Sequence, residues 1–232
     1  MVETAVLQTL LVNGPIGVLW LFFAIRILQR GPSKRINQMF FLFLGLTALG
    51  MFVNVAYRLI GVDFWNITLN KVTIFLSTVS IVFLLIFNLI ILKSDKIITD
   101  KIKLVMIIAW IIICCGYFFI EGGVTWGHEE VGDAGVPIWS VPFAVFGIII
   151  GQLLWSATLI VVIQIYRRFE DQKLRRKYIS TIVAIAIFDW ILIGNCINNM
   201  IDNDTFRLIF LITSILVIPA GILLYMGVKR DT

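Results

Sequence analysis

Seven long apolar stretches, separated by short polar segments, occupy nearly the whole of this 232-residue chain. The hydrocarbon core of a bilayer is about 30 Å thick, and a helix needs about 20 residues to cross it. Every stretch is close to that length or longer. The sequence therefore predicts seven membrane-spanning helices, at about 5–28, 37–60, 72–92, 104–121, 141–166, 178–200 and 207–228.

The composition also favours a membrane location. Hydrophobic residues make up 60% of the chain and charged residues only 14%, whereas soluble domains are usually about 25% charged. Seven spans leave no room for a soluble domain, so we expect residues 1–232 to form a single domain. The predicted fold is an all-α, integral membrane seven-helix bundle, and we expect a multi-pass protein of the cell membrane.

The basic residues predict how the bundle is oriented. Sixteen of the 19 Lys and Arg residues fall on one side of the predicted spans, and only Arg58, Lys71 and Arg207 fall on the other. Loops rich in Lys and Arg stay in the cytoplasm, so we expect the N-terminus outside and the C-terminus in the cytoplasm. The net charge of +5 thus has a topological explanation, and we predict no nucleic-acid partner. The basic segments are 26–35, 93–103, 167–177 and 229–230.

The longest loop on the predicted outer side, 122–140, contains the single histidine of the chain. His128 and three carboxylates could bind a divalent cation weakly, but a glycine-rich loop does not ensure that such ligands converge. The alternative is a solvated acidic loop anchored at the membrane interface by Trp126 and Trp139. We predict no metal site. Two glycosylation-type triplets, which begin at Asn66 and Asn203, also fall on this side.

Asp189 is the most unusual residue within the spans. It lies near the middle of the sixth span, and no Lys or Arg occurs at a comparable depth in any span. Charged side chains are costly in lipid, so we expect Asp189 to be protonated near neutral pH. Gln152 of the fifth span lies at about the same depth, and a Gln152–Asp189 hydrogen bond would satisfy both groups. Asp189 is then either a structural acid or a proton-linked switch or ligand contact.

A second group of polar residues lies in the outer half of three spans. Asn195, Asn198, Asn199 and Asp202 follow the i, i+3, i+4, i+7 spacing of one helix face, from which Asp189 points away. The group predicts either an outward-opening pocket, with Arg58 and Glu121 as an ion pair, or an interfacial polar cap. The ligand-binding candidates are Asn54, Tyr57, Arg58, Tyr117, Glu121, Gln152, Asp189, Asn195, Asn198 and Asn199.

Small residues and one proline predict local features of the helices. Gly147 and Gly151 match a helix-pairing pattern, which favours packing within the bundle over a dimer seam. Pro219 should kink the seventh span, because proline lacks a backbone donor. The third span carries a stripe of small polar residues, Thr73, Ser77 and Ser80.

Several classes of function are excluded by what the sequence lacks. A retinal protein needs a Schiff-base lysine in its last helix, and 207–228 contains no lysine. No hydrolase triad, zinc-protease motif or phosphate-binding loop occurs, so we predict no catalytic residues and no enzymatic activity. The three cysteines and one histidine match no redox or metal motif, and no cofactor is expected. The sequence has no obvious inverted repeat, which weakens a transporter interpretation.

The chain resembles, in its layout, the seven-helix sensor region at the N-terminus of some prokaryotic histidine kinases. The shared features are the size, the N-out plan, the tight inner turns, the long loop between spans four and five, and the basic loop 167–177. This resemblance covers the whole chain and implies a sensory input domain. The chain ends at Thr232 without a kinase, which implies a separate effector protein or a stand-alone subunit.

We therefore expect a non-enzymatic, receptor-like membrane sensor that binds a small ligand in an outer-half pocket. Its other partners would be the lipid bilayer and a separate cytoplasmic signalling protein or a second copy of the chain. Two alternatives stay open, a proton-linked transporter or permeation protein centred on Asp189, and a structural subunit of a larger membrane complex. We also expect the basic loop 167–177 to hold anionic lipid headgroups.

Overall fold

The structure is a computed structural model that describes residues 12–60, 62–127, 136–201 and 203–228. Within these ranges the chain forms nine α-helices and two short strands. The helices are α1 Gly14–Gln29, α2 Arg35–Ile60, α3 Asp63–Lys93, α4 Asp100–Cys114, α5 Gly116–Phe119, α6 Val141–Arg168, α7 Gln172–Met200, α8 Asp204–Ser214 and α9 Val217–Val228. The strands are β1 Val124–Gly127 and β2 Val136–Trp139.

Six helical segments of the described chain are long and apolar enough to cross a bilayer, and α1 is a shorter apolar helix. Large hydrophobic side chains are exposed along their outer faces, as contact with lipid requires. The predicted all-α, multi-pass membrane architecture is thus confirmed. Residues 5–11 of the first predicted span lie outside the described residues. The six segments are 35–60, 63–93, 100–119, 141–168, 172–200 and 205–228.

Helix α3 lies at the centre of the bundle. It packs against α2, α4, α5, α6 and both strands, and its side chains are buried without a break from Thr78 to Asn88. A helix buried on all sides belongs to the core. The predicted stripe of small residues on α3 faces α2. A Cβ added at Gly50 would lie 3.0 Å from Ser77 Oγ, and Thr47 Oγ1 donates to Ser80 Oγ at 2.9 Å.

Six helices, α3 among them, form a closed ring. Going round it, α1 packs on α2, α2 on α3, α3 on α6, α6 on α7, α7 on α9, and α9 returns to α1, while α4 packs on α3. The glycines of α6 face this bundle. A Cβ at Gly151 would lie 2.6 Å from Leu192, and one at Gly147 would lie 3.3 Å from Cys196 Sγ. The predicted packing of these glycines within the chain is confirmed.

Helix α3 begins nine residues before the predicted third span. The predicted spans leave 61–71 as a loop on the outer side, and for Asp63–Lys71 this prediction is wrong. Asn66 and Asn70 are only 1% and 4% exposed, so they face protein instead of lipid. The helix can therefore continue past the apolar stretch.

The seventh predicted span is broken into two helices. Helix α8 ends at Ser214 and α9 begins at Val217. The ring of Pro219 clashes with the carbonyl of the residue four positions earlier, Ile215, and leaves it without its usual donor. The predicted kink is therefore confirmed at its expected place. No described side chain of α8 is buried, whereas α9 buries several residues, including Leu224.

A β-hairpin caps one end of the bundle, which we name the hairpin end. Strands β1 and β2 are antiparallel, with Val124 opposite Trp139, and they pack on α3 and α7. The predicted loop at 122–140 did not include these strands. Gly122 makes the entry turn with φ +60°, a conformation that only glycine adopts readily. Residues 128–135, with His128 and the acidic residues considered for cation binding, lie outside the described residues.

The opposite end, which we name the basic end, holds a network of ion pairs. Lys103 Nζ bonds to Asp95 and lies 3.4 Å from Asp100 Oδ1. Arg35 Nη2 lies 2.6 Å from Asp100 Oδ2, and its Nη1 lies 3.8 Å from Asp95 Oδ2. The network joins the start of α2 to the start of α4 and to the loop between α3 and α4.

Candidate functional site

Asn70 is the centre of a buried hydrogen-bond network at the hairpin end. Its Nδ2 donates to Tyr57 Oη at 3.1 Å, and its Oδ1 accepts from Trp139 Nε1 at 3.2 Å. All three side chains are at most 4% exposed. Buried polar groups need partners, and this carboxamide satisfies two of them at once. We name these three residues the Asn70 network, which ties α2, α3 and the hairpin together.

The tryptophans of the hairpin face the protein. Trp139 is buried, so its predicted role as a membrane-interface anchor is wrong, and Trp126 packs edge-on against Tyr57 with ring centroids 5.8 Å apart. The guanidinium of Arg58 lies 5.6 Å from the ring centroid of Tyr57 and 5.2 Å from that of Trp126, within the range of cation–π attraction. Glu121 is exposed, and the described salt bridges include no Arg58–Glu121 pair.

Tyr117 lies in the core beside α3. Its hydroxyl is 3.2 Å from Thr78 Oγ1, and Trp110 Nε1 donates to the Thr78 carbonyl at 3.1 Å. Phe143 and Phe146 of α6 pack against the tyrosine ring, with centroid distances of 5.3 Å and 5.1 Å. Tyr117 therefore links α5, α3 and α6 from a buried position.

The side-chain hydrogen bonds described for the asparagine face of α7 join residues of that same face. Asn199 Nδ2 donates to the Asn195 backbone carbonyl at 2.9 Å and lies 3.2 Å from Asn195 Oδ1. Asn198 Oδ1 is buried and has no hydrogen-bond partner among the described residues. Asp202, which we placed on the same face, lies outside the described residues. The face therefore holds at least one buried acceptor that a donor would satisfy.

Gln152 and Asp189 form the hydrogen bond that the sequence predicts. The Gln152 amide donates to the Asp189 carboxyl across the seam between α6 and α7. Both side chains are half-buried, and their neighbours Leu153 and Trp190 are exposed. The pair therefore lies near the lipid-facing edge of the seam, away from the hairpin.

The structure distributes the ten predicted ligand-binding residues over separate contacts. Tyr57 and Arg58 lie at the Asn70 network, while Tyr117, the Gln152–Asp189 pair and the α7 asparagines have the distinct surroundings described above. Asn54 accepts a hydrogen bond from Asn13 Nδ2 at 3.3 Å, between α1 and α2. A groove of about 710 Å³ also lies between these two helices, and none of the ten residues lines it.

Sequence reasoning missed Asn66 and Asn70 because it placed both in a loop. Their i, i+4 spacing was the available signal, since it puts them on one helix face. Asn66 is buried in α3, which rules out the glycosylation considered there. Its Oδ1, like the Oγ of Ser140, has no hydrogen-bond partner in the part of the chain that the structure describes. A buried acceptor left unpaired costs about 1–3 kcal/mol, so a donor brought to either oxygen would be favourable.

The chemistry available at the hairpin end is that of recognition. The Asn70 network consists of neutral donors and acceptors, with no acid or base among its three members. Among the described residues, no group of three or more His, Cys, Asp or Glu could hold a metal ion. The arrangement can orient a polar ligand or transmit a displacement between elements.

No protein-family model matches this chain, and neither a curated protein nor a solved structure does.

Proposed function

We propose that the protein is a non-enzymatic, seven-helix sensor of the cell membrane. In this proposal α1 and the six longer apolar segments all cross the bilayer, with the hairpin end outside the cell and the basic end in the cytoplasm. The distribution of charge supports this orientation, because the basic loop 167–177 lies at the end opposite the hairpin and such loops stay in the cytoplasm. The binding of a small ligand at the hairpin end would be transmitted to a separate cytoplasmic protein.

The Asn70 network is the observation that carries the proposal. Through Trp139 and Tyr57 it bonds the hairpin and α2 to the central helix. With 31 residues, α3 is about 46 Å long and reaches the basic end. There, Arg168 Nη1 of α6 donates to the Leu92 carbonyl at 3.1 Å. A shift of α3 at Asn70 would therefore reach α6 and the basic loop that follows it.

The hairpin end also favours one class of ligand. Asn66 Oδ1, Ser140 Oγ and Asn198 Oδ1 are buried acceptors without partners. A ligand that donates hydrogen bonds would satisfy such oxygens, and the aromatic rings of Tyr57 and Trp126 could pack against its apolar part. We therefore propose a small amphipathic ligand with hydroxyl or amine donors.

Distances between spin labels at the basic end test the coupling. In a variant without native cysteines, one nitroxide is placed at Ile97 in the loop between α3 and α4 and a second at Leu174 in the first turn of α7. Pulsed electron paramagnetic resonance in lipid nanodiscs measures their separation. We expect Asn70→Leu, and the milder Tyr57→Phe, to shift this separation by about 1–2 Å, the scale of helix shifts in switching proteins.

Asn199→Leu is the matched control, because it removes an asparagine at the same end whose amide bonds only within α7. It should leave the label separation unchanged. An unchanged separation in Asn70→Leu and Tyr57→Phe, in folded protein, would remove the mechanical basis of the sensor proposal.

A second candidate function, proton-linked transport, is favoured by the Gln152–Asp189 hydrogen bond. Carboxyl groups within membranes often belong to proton pathways. Proteoliposomes that contain a pH-sensitive dye would test it. A pH gradient that collapses through the wild-type protein and persists with Asp189→Asn would favour transport over sensing.

A further inference from the structure

We infer that the groove between α1 and α2 binds one acyl chain of a bilayer glycerophospholipid. This groove of about 710 Å³ lies outside the Asn70 network, so the inference goes beyond the proposed sensing function. Its lining consists only of glycine, proline and hydrophobic residues, among them Gly14, Val18, Phe22, Phe52 and Val55. An apolar groove on a membrane-embedded surface opens towards lipid tails.

The dimensions of the groove fit an acyl chain. On α1 it extends from Gly14 to Phe22, which is about 12 Å at 1.5 Å per residue. One leaflet contributes about half of a hydrocarbon core of about 30 Å. The groove therefore has about the length of one leaflet. It runs along the seam where α1 and α2 pack against each other.

Two amide side chains lie at the hairpin end of the groove. Asn13, which precedes Gly14, donates through Nδ2 to Asn54 Oδ1, and Asn54 precedes the lining residue Val55. The Nδ2 of Asn54 and the Oδ1 of Asn13 have no hydrogen bond to other described residues. They can bond to the ester carbonyls and headgroup of a glycerophospholipid, whose chain then lies in the groove below them.

The other end of the groove lies at Phe22. The guanidinium of Arg26, one turn further along α1, lies 5.3 Å from the centroid of this ring. At the amide end, a Cβ added to Gly14 would meet no atom within 4 Å. The glycine therefore leaves open space for a Cβ, and a larger side chain at this lining position would take up room in the groove.

Photo-crosslinking tests the site directly. The full chain is placed in phosphatidylcholine nanodiscs that contain a small fraction of phosphatidylcholine with a diazirine in one acyl chain, and adducts are mapped by mass spectrometry. We expect adducts at Val18 and Val55 to exceed those at Leu153 of α6. Val18 and Leu153 are both 61% exposed, so random contact with lipid would label them alike.

Two glycine substitutions form the matched pair. Gly14→Leu should lower the groove adducts roughly fivefold, as expected when one or two methylene groups of the chain are excluded. Gly45→Leu should leave them unchanged, because Gly45 also has no atom within 4 Å of its Cβ position but does not line the groove. Equal labelling of Val18 and Leu153, or equal effects of the two substitutions, would overturn the inference.

A second probe distinguishes the source of the chain. A diazirine fatty acid at the same mole fraction should label the groove less than the phosphatidylcholine probe does, because it lacks the glycerol esters that Asn13 and Asn54 can bond. Asn54→Leu should reduce labelling by the phosphatidylcholine probe alone. Stronger labelling by the fatty acid would overturn the assignment to a bilayer lipid.

Discussion

The two ends of the bundle hold their polar groups in opposite ways. At the hairpin end the network is neutral and buried, and Asn70 is 4% exposed. At the basic end the groups are charged and more open to solvent, and the side chain of Asp100 is 63% exposed. Exposed ion pairs contribute about 0–1 kcal/mol because water and salt screen them, whereas orphaned buried groups cost about 1–3 kcal/mol each. The polar groups of the hairpin end are therefore held by buried hydrogen bonds between neutral groups. Those of the basic end are held by ion pairs that water and salt screen.

Lys103 shows that the contrast is not complete. Its side chain is 5% exposed, although both of its carboxylate partners reach solvent. Lysine can bury its apolar stem while its ammonium group meets charged partners at the surface. The network at the basic end thus has one buried member, and its partners come from the α3–α4 loop and the first residue of α4.

The largest expected effect concerns the sides of the membrane on which the two ends lie. In a variant without native cysteines, Thr125→Cys in β1 should react completely with an impermeant maleimide added to intact cells. Glu170→Cys, in the basic loop, should react only after the cells are opened, because basic loops are retained in the cytoplasm. Both positions are exposed, so access to the reagent is comparable. Labelling of both from outside would contradict the proposed topology.

Loss of the Asn70 amide should produce the largest change in stability. Asn70→Leu leaves the Tyr57 hydroxyl and the Trp139 indole N–H buried without partners. We expect the free energy of unfolding to fall by about 2–6 kcal/mol, the cost of two such groups. Denaturant unfolding in mixed micelles would measure the change. Asn199→Leu should cost less than about 1 kcal/mol, because its bonds stay within one helix. Equal costs would mean that the network does not fix the hairpin.

Substitutions at Asp189 should have an intermediate effect. Asp189→Leu leaves Gln152 without its acceptor and should cost about 1–2 kcal/mol, the scale of hydrogen bonds in membranes. Asp189→Asn keeps the shape and an acceptor oxygen and should fold almost normally. Infrared difference spectra between pH 5 and pH 9 check the protonated carboxyl expected at this depth. A carboxylate band of Asp189 at neutral pH would show that water or a cation reaches it.

The smallest effect should come from the exposed ion pairs. Asp100→Asn should lower the free energy of unfolding by about 0.5 kcal/mol at low salt. The loss should shrink in 1 M salt, where the Debye length is about 3 Å. The cost of Asn70→Leu should be the same at both salt concentrations, because it arises from neutral buried groups. A strong salt dependence of the Asn70→Leu cost would remove the contrast between the two ends.

Features set by local pattern and depth could be predicted from the sequence. Long apolar stretches predict most of the helices, and Pro219 predicts the break at Ile215 because the clash of a proline is four residues away. The Gln152–Asp189 bond followed from matching the depths of two adjacent antiparallel spans. In each case the relevant distance is fixed by the helix repeat or by the bilayer.

Features set by tertiary contact could not be predicted in the same way. The bond from Trp139 to Asn70 joins residues 69 positions apart, and it depends on how the hairpin folds over α3. The continuous apolar stretch of the third span begins only after Asn66 and Asn70. A search for lipid-facing residues therefore starts the helix after them. Asparagine is tolerated in this part of the helix because protein surrounds it. The sequence of a single span does not show which of its residues will be buried by neighbouring elements.

The contact between α1 and α9 sets the order in which the bundle can be completed during synthesis. Arg30 Nη2 donates to Tyr225 Oη at 2.6 Å, and Phe23 stacks on the same ring, although Arg30 and Tyr225 are 195 residues apart. At about 5–20 residues per second, a ribosome needs roughly 10–40 s to make the intervening chain. Neighbours such as α1 and α2 can pair as they emerge. The α1 surface that will meet α9 must wait in the bilayer for that time, covered by lipid or by the insertion machinery.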